Sequence, residues 1–517
     1  MLHLRWSQCL YFIWYRWLKP KPDHHRTKIK YKGLSLNVKP IGSLLYPIYT
    51  KCFAGRGVTI FNRTLETKTC PDWSYMGYGK LWNYHLQYAE FLLDDDLEFT
   101  WKQVLLEDLS KQIVSGKLIL EPYPVSLRIV HSLEFLAQFK QENPVIQDAL
   151  RIQIQYLEGH LEKHLSGNHL LENYLALVYG HLAFEGSPKL DFYLNKLLIE
   201  LDEQLLNDGA HYELCLSYHA GIFCRLSGLI FLLRQTNVRL QAANRIELHA
   251  RNMYAWLKTI TLDFTVFPLI NDSMSWPNFQ WQALCNYAKI MKLDIHDLPL
   301  ADCGYRWMQS GSLSLMMRVG EIPSKHQPGH AHADYLTIYL YHSGKPVLVD
   351  TGVSTYEADA VRLDQRSSSS HNVVVTEGES QSEIWSAFRM GRRARIMEFN
   401  SKPGNIEAKV LWYQGHMHHR KVSCSPHEIL IIDQWKAKVK GHKPVALFHF
   451  NHSVEIEDIP KDAREFRVEQ LHFSFEGLEQ IEVLEYHQCF AIGEKLAAKC
   501  IRVYFCDQLK TRIQRLP

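Results

Sequence analysis

The apolar residues of this chain change their period once, near residue 300. Before that point they recur at three- and four-residue intervals over 101–113, 126–139, 145–165, 169–184, 188–206, 213–234, 242–261 and 281–291, the spacing of helices with one buried face. Breaks fall at Pro144, Gly167, Gly186, Gly209 and Pro268, residue types that end or bend a helix. Beyond it, short strand-like runs follow one another at 313–319, 331–341, 346–350, 372–376, 392–398, 406–412, 418–423, 428–434, 444–450, 466–468, 471–475, 481–486 and 500–506. No helical crossover separates these runs, so they pair as an antiparallel sandwich and not as a doubly wound sheet. The boundary is expected between His296 and Gly311. Helix hairpins thus precede a β-sandwich, and 517 residues suffice for a core in each.

Composition narrows the function. A formal charge of +3 is too balanced to predict a nucleic-acid partner, and no Walker loop or dinucleotide fingerprint is present. The 11 cysteines include no CxxC pair, so neither disulfides nor a cysteine metal site are indicated. The N-terminal run MLHLRWSQCLYFIWYRWLKPKP is aromatic and flanked by Arg5, Arg16, Lys19 and Lys21. Its apolar part is too short to cross a bilayer and lacks a small-residue cleavage site, which predicts neither a spanning helix nor a signal peptide. A helix packed on the domain is the favoured reading, and peripheral contact with a membrane surface is the alternative. The expected compartment is cytoplasmic, against the inner membrane if that contact is made, with the periplasm as the alternative.

The densest chemistry lies between Gly329 and His371. Leu336, Ile338 and Leu340 alternate with Thr337, Tyr339 and Tyr341, and Ser343-Gly344-Lys345 turns the chain into Pro346–Asp350, which predicts a hairpin with one buried face. A turn at Gly344 sets Asp350 opposite Ile338, so His332 approaches it only if the chain bends before Tyr335. His371 precedes another apolar run and is available from a neighbouring strand. Two imidazoles and a carboxylate suit zinc. His330 and His332 share a face of an extended strand, so periodicity leaves open which of them binds metal, and histidines hydrogen-bonded at a hairpin rim remain the other reading.

Elsewhere, Trp82, Tyr84 and His85 lie on an aromatic helical stripe that is usually core. Asn168 is suited to cap the helix after Gly167, with His169 and Glu172 following on its first turns. Tyr218 sits in a helix that follows the Asp208-Gly209 turn. Arg362, Arg366 and Arg389 offer planar forks for carboxylates or sulfates.

The run from Gly329 through Asp350, then Ser367–Asn372 and Trp385–Arg389, resembles the C-terminal domain of the heparinase II/III-like polysaccharide lyases, and the resemblance covers most of the chain. It implies a lead-in over 1–70, an incomplete (α/α) toroid over 71–300 and an antiparallel β-sandwich with a metal site over 301–517. It assigns zinc to His332, Asp350 and His371, and places Asn168, His169, Tyr218 and His330 at the catalytic cleft: Asn168, helped by His330, to neutralise the uronate carboxylate, Tyr218 as the base at C5 and donor to the leaving oxygen, and His169 as the alternative base for the opposite C5 configuration. Sugar contact is expected from Trp82, Tyr84, His85, Glu172, Arg362, Arg366 and Arg389, and the 267–273 loop is expected to hold shape. The implied activity is β-elimination on a uronic-acid polymer such as a bacterial exopolysaccharide or capsule, by a monomer or homodimer. The rival readings are a hydrolase using Glu172 or Glu213 with Asp350, and a non-catalytic polysaccharide-binding protein.

Overall fold

Helices occupy most of the chain up to Ile290 and strands dominate from Tyr305. This computed structural model describes residues 4–15, 50–53, 57–139, 143–183, 187–274, 281–293, 297–438, 441 and 443–516. Most of the expected lead-in therefore lies outside the described residues. Its first helix, Trp6–Ile13, docks on the helical half through the Arg5–Glu203 ion pair at 2.7 Å and the Gln8 amide on Leu165 O, and leaves Trp6, Leu10, Phe12 and Ile13 exposed. A small antiparallel sheet of Thr50–Phe53, Gly57–Ile60 and Arg63–Leu65 follows.

The main helices pack next-but-one. Pro122–Phe139, Gly167–Ala183 and Leu216–Gln235 form an inner row, and Phe99–Val114, Pro144–Gly159, Leu190–Gln204 and Leu240–Ile260 lie outside it. Two rows joined by helix hairpins give the inner helices apolar residues all round and the outer ones a single apolar face. This is why the 20-residue helix Leu216–Gln235 is apolar enough to cross a membrane, with 89% of its apolar window buried inside the protein. Local chemistry sets the ends: Asn143 accepts from the Val145 N–H at 3.0 Å and Pro144 occupies the first turn. The helix expected over 145–165 stops at Gly159, and the turn that follows carries Glu162.

Among the described residues the β half holds a four-stranded sheet, in the order Tyr305–Ser310, Leu313–Arg318, Ile338–His342, Lys345–Leu348, and a nine-stranded antiparallel sheet. The small sheet is a middle layer. Leu313, Leu315, Met317, Ile338 and Leu340 pack toward the large sheet, while Met316, Tyr339 and Tyr341 join the core of the helical half. The expectation of a hairpin with one buried face is thereby corrected, because Ile338–His342 is buried on both. The strand expected from 331 begins only at Ile338. Residues 331–337 form a bend in which Leu336 takes a φ of 66°. The runs expected at 471–475 and 481–486 are one strand, Leu471–Gln488, whose register shifts around Gly477.

Three buried arginines hold the bend. Arg318 pairs with Asp334, Arg366 donates to Ala331 O at 2.8 Å and Pro328 O at 3.0 Å, and Arg420 donates to Leu336 O and Asn372 O at 2.7 Å each. Arg420 also meets Asp433, with Nε–Oδ1 at 2.7 Å, and its side chain has no exposure. Replacing Arg420 by Met should therefore destabilise the β half by roughly 3–5 kcal/mol, because it leaves the buried Asp433 carboxylate with His418 as its remaining side-chain partner and strands two carbonyls. Calorimetric unfolding checks this, and a loss below about 1 kcal/mol contradicts the role assigned to Arg420.

Candidate active site and metal centre

The bend brings His332 back toward the end of the hairpin. His332, Asp350 and His371 are all buried, and their donor atoms lie within 4.8 Å of one another. His371 Nδ1–H donates to Asp350 Oδ2 at 2.7 Å, while Asp350 Oδ1 accepts from the Gly352 N–H at 2.9 Å. His332 Nδ1 and His371 Nε2 are buried without a hydrogen-bond partner. Burial pulls the His332 imidazole down to about 4, which leaves it neutral with a lone pair on Nδ1. Two unpartnered imidazole nitrogens beside a carboxylate are a donor set that fits a zinc-type ion.

Behind the triad stands Asp272, from the loop that follows Leu240–Ile260, with no exposure. Its Oδ1 accepts from His332 Nε2–H at 2.8 Å and its Oδ2 from His330 Nδ1–H at 2.7 Å. Arg362 donates to both oxygens at 2.6 Å. Burial works against the Asp272 charge, but Arg362 and the two imidazoles outweigh it and hold the carboxyl well below its usual range. Asn271 and Ser273 pin the same loop to the helical half, through Leu214 O at 3.0 Å and the Leu216 N–H at 2.8 Å.

On the His330 side of this hub, the Tyr218 and His330 rings are 4.7 Å apart, and the Tyr218 hydroxyl donates to Tyr356 Oη at 3.2 Å. Phe388 packs edge-on to both His330 and Tyr356. Burial first, then Tyr356, pushes the Tyr218 phenol well above 10, so it is protonated at neutral pH. His169 Nδ1–H donates to Glu162 Oε1 at 3.1 Å, and its ring lies 4.4 Å from that of Tyr123. Burial lowers the His169 pKa, but Glu162 outweighs it and the net shift is upward. Asn168 is not the expected cap. Its N–H, one of the orphan donors of the helix start, is satisfied at 3.0 Å by Glu213 Oε1. Gly167, at a φ of 60°, gives Glu213 the room, since a Cβ there would overlap that oxygen. The second Glu213 oxygen is 3.8 Å from His330 Nε2.

Several proposed sugar contacts have other work. Trp82 is core, its indole N–H donating to Ile60 O at 3.0 Å. Glu172 is locked in a buried pair with Arg225, at 2.9 and 2.8 Å from Nε. Arg362 serves Asp272, and Arg366 is spent on backbone carbonyls. His85 packs between Phe61 and Tyr88, while the Tyr84 hydroxyl donates to Glu121 at 2.5 Å. Arg389 is exposed, on a short hairpin with the exposed Trp385 and Phe388. Sequence reasoning missed Tyr356, Glu162 and the role of Asp272. The one available signal for Asp272 was an acidic residue two positions after the apolar FPLI run, a position that demands cationic partners once buried.

Two family models match the chain: Heparinase II/III N-terminus over residues 117–293 and Heparinase II/III-like, C-terminal, over 296–485. No curated protein matches it. Among solved structures it is similar to a heparinase III, at 14% identity and a TM-score of 0.68 over 98% of this chain and 89% of the other. It is likewise similar to the heparan sulfate lyase HepC of Pedobacter heparinus, at 14% identity and a TM-score of 0.59 over 98% and 88%. The fold is shared with both, the two matched segments run through the helical and the β half, and the chain belongs to the heparinase II/III-like lyase family.

Proposed function

We propose that this protein is a polysaccharide lyase that cleaves a uronic-acid polymer by β-elimination. The observation that carries the reading is the meeting of Tyr218, from the helical half, with His330, from the β half, at 4.7 Å between ring centroids. A uronate C5 proton is weakly acidic because its removal adds charge beside a carboxylate. Donors aimed at that carboxylate stabilise the enediolate as it forms. Asn168 and His330 are the groups for this task. As a phenol, Tyr218 is set to protonate the leaving glycosidic oxygen while the C4–O bond breaks and the C4–C5 double bond forms. His169 takes the C5 proton, its basicity raised by Glu162. Arg389, Trp385 and Phe388 at the mouth suit an acidic sugar chain, with guanidinium for charge and ring faces for stacking.

Zinc held by His332 Nδ1, Asp350 and His371 would act as a cross-link between the bend, the hairpin end and the segment after the serine run. The hydrolase reading lacks a free carboxylate pair: Arg225 occupies Glu172, Glu213 is engaged by the Asn168 N–H, and Asp350 belongs to the triad.

Three outcomes follow. Tyr218→Phe keeps the ring packing and removes the proton donor, so formation of unsaturated product should fall by about 10²–10⁴-fold in kcat. Turnover within about twofold of the parent would remove Tyr218 from the reaction. Asp350→Ala should lower zinc content, measured on the purified protein by elemental analysis, and melting temperature together; full zinc occupancy in that variant would refute the triad. The third concerns pH. A base must be unprotonated, so the acid limb of kcat/KM should rise through the His169 pKa, which lies above the ordinary 6.5. Glu162→Gln removes the charge that raises it, and the limb should move to lower pH; a limb that stays in place argues against His169 as the base.

A further inference from the structure

Asp272 moves no proton in the reaction, yet everything distinctive about the two histidines of the HxH pair passes through it. An ionised carboxylate only accepts hydrogen bonds, so both imidazoles must present N–H to it. This places a proton on His332 Nε2, 2.8 Å from Oδ1, and one on His330 Nδ1, 2.7 Å from Oδ2, so that His330 donates to a substrate carboxylate only with a second proton on Nε2. The atoms left over are the ones the chemistry needs. His332 Nδ1 is buried, unpartnered and part of the triad, and His330 Nε2 is turned to the Glu213 side, 3.8 Å from its carboxylate. Arg362 fills the remaining positions of the carboxylate at 2.6 Å, which holds its plane.

We propose that Asp272 is a positioning residue that couples the metal triad to the cleft histidine, one oxygen orienting the metal ligand His332 and the other orienting His330. The inference rests on the lyase reading above and adds to it a link between metal occupancy and turnover. The geometry explains why a single loop of the helical half carries the carboxylate. Asn271 Oδ1 accepts the His332 backbone N–H at 3.3 Å, so the bend and its acceptor are registered by adjacent residues of one loop. An amide at position 272 has one accepting oxygen and one donating nitrogen, and cannot serve two imidazole N–H groups and a guanidinium.

The test is Asp272→Asn in the full-length protein. Chelator competition should show zinc affinity about 10–100-fold weaker, the range typical for loss of an outer-shell partner. At saturating zinc, kcat should still be about 10–100-fold down while KM changes less than about threefold. In a His330→Ala background, Asp272→Asn should cause no further loss of kcat but the same loss of zinc affinity. Unchanged zinc affinity, or kcat losses that multiply in the double variant, would overturn the coupling. A variant too unstable to purify is covered by a crystal structure of the zinc-loaded parent: ligation through His332 Nδ1 supports the proposal, and ligation through Nε2, which requires the Asp272 bond to break, overturns it. A parent that binds no zinc sinks the zinc assignment itself along with the coupling, whereas a zinc-binding parent with an indifferent Asp272→Asn sinks the coupling alone.

Discussion

A carboxylate with no exposure to solvent sits where the helical and β halves meet, and the site is arranged around it. Burying the Asp272 charge alone would cost several kcal/mol. Four donor atoms offset that cost: two from Arg362 and one each from His330 and His332. The sign of its linkage follows from its lowered pKa. The stabilisation is present at every pH above the ordinary carboxylate range and is lost only as acid overcomes the depressed value. Because the carboxylate belongs to one half and its partners to the other, the same bonds that satisfy the charge also align the two halves.

That alignment divides the labour of the cleft. The inner row of helices supplies Asn168, His169 and Tyr218, with Glu162 and Glu213 arriving from the turns before the helices that carry them. The β half supplies His330, Tyr356 and Phe388, presented on loops that the middle sheet and the buried arginines hold in place. A reaction that removes one proton and delivers another needs groups on two sides of a sugar ring. Groups drawn from two facing halves of the chain can provide this.

Much of this was legible in the residues, for physical reasons that differ by region. The helix expected over 101–113 is Phe99–Val114 and the one over 242–261 is Leu240–Ile260, because an amphipathic outer helix writes its buried face directly into the apolar spacing. The proposed catalytic residues and the candidate metal triad came from the resemblance; spacing had left His330 and His332 equivalent. What could not be read was tertiary. The run 331–341 suggested one strand, and only metal binding by His332 called for a bend before Tyr335; buried arginines from elsewhere hold 331–337 in a bend. Arg362 and Arg366 looked like sugar-binding forks, and only burial showed that their partners are internal. Tyr356 carries no local signal, since its neighbour Tyr218 is 138 positions away in the chain.

The claim on which the account depends is elimination, and oxygen-labelled water tests it most directly. The purified protein is incubated with a panel of uronic-acid polymers in that water, and the cleavage products are read by mass and ultraviolet absorbance. The account predicts chain ends that absorb in the ultraviolet, are lighter by one water than hydrolysis products, and carry no label from the solvent. New non-reducing ends that are saturated and do not absorb in the ultraviolet would contradict it.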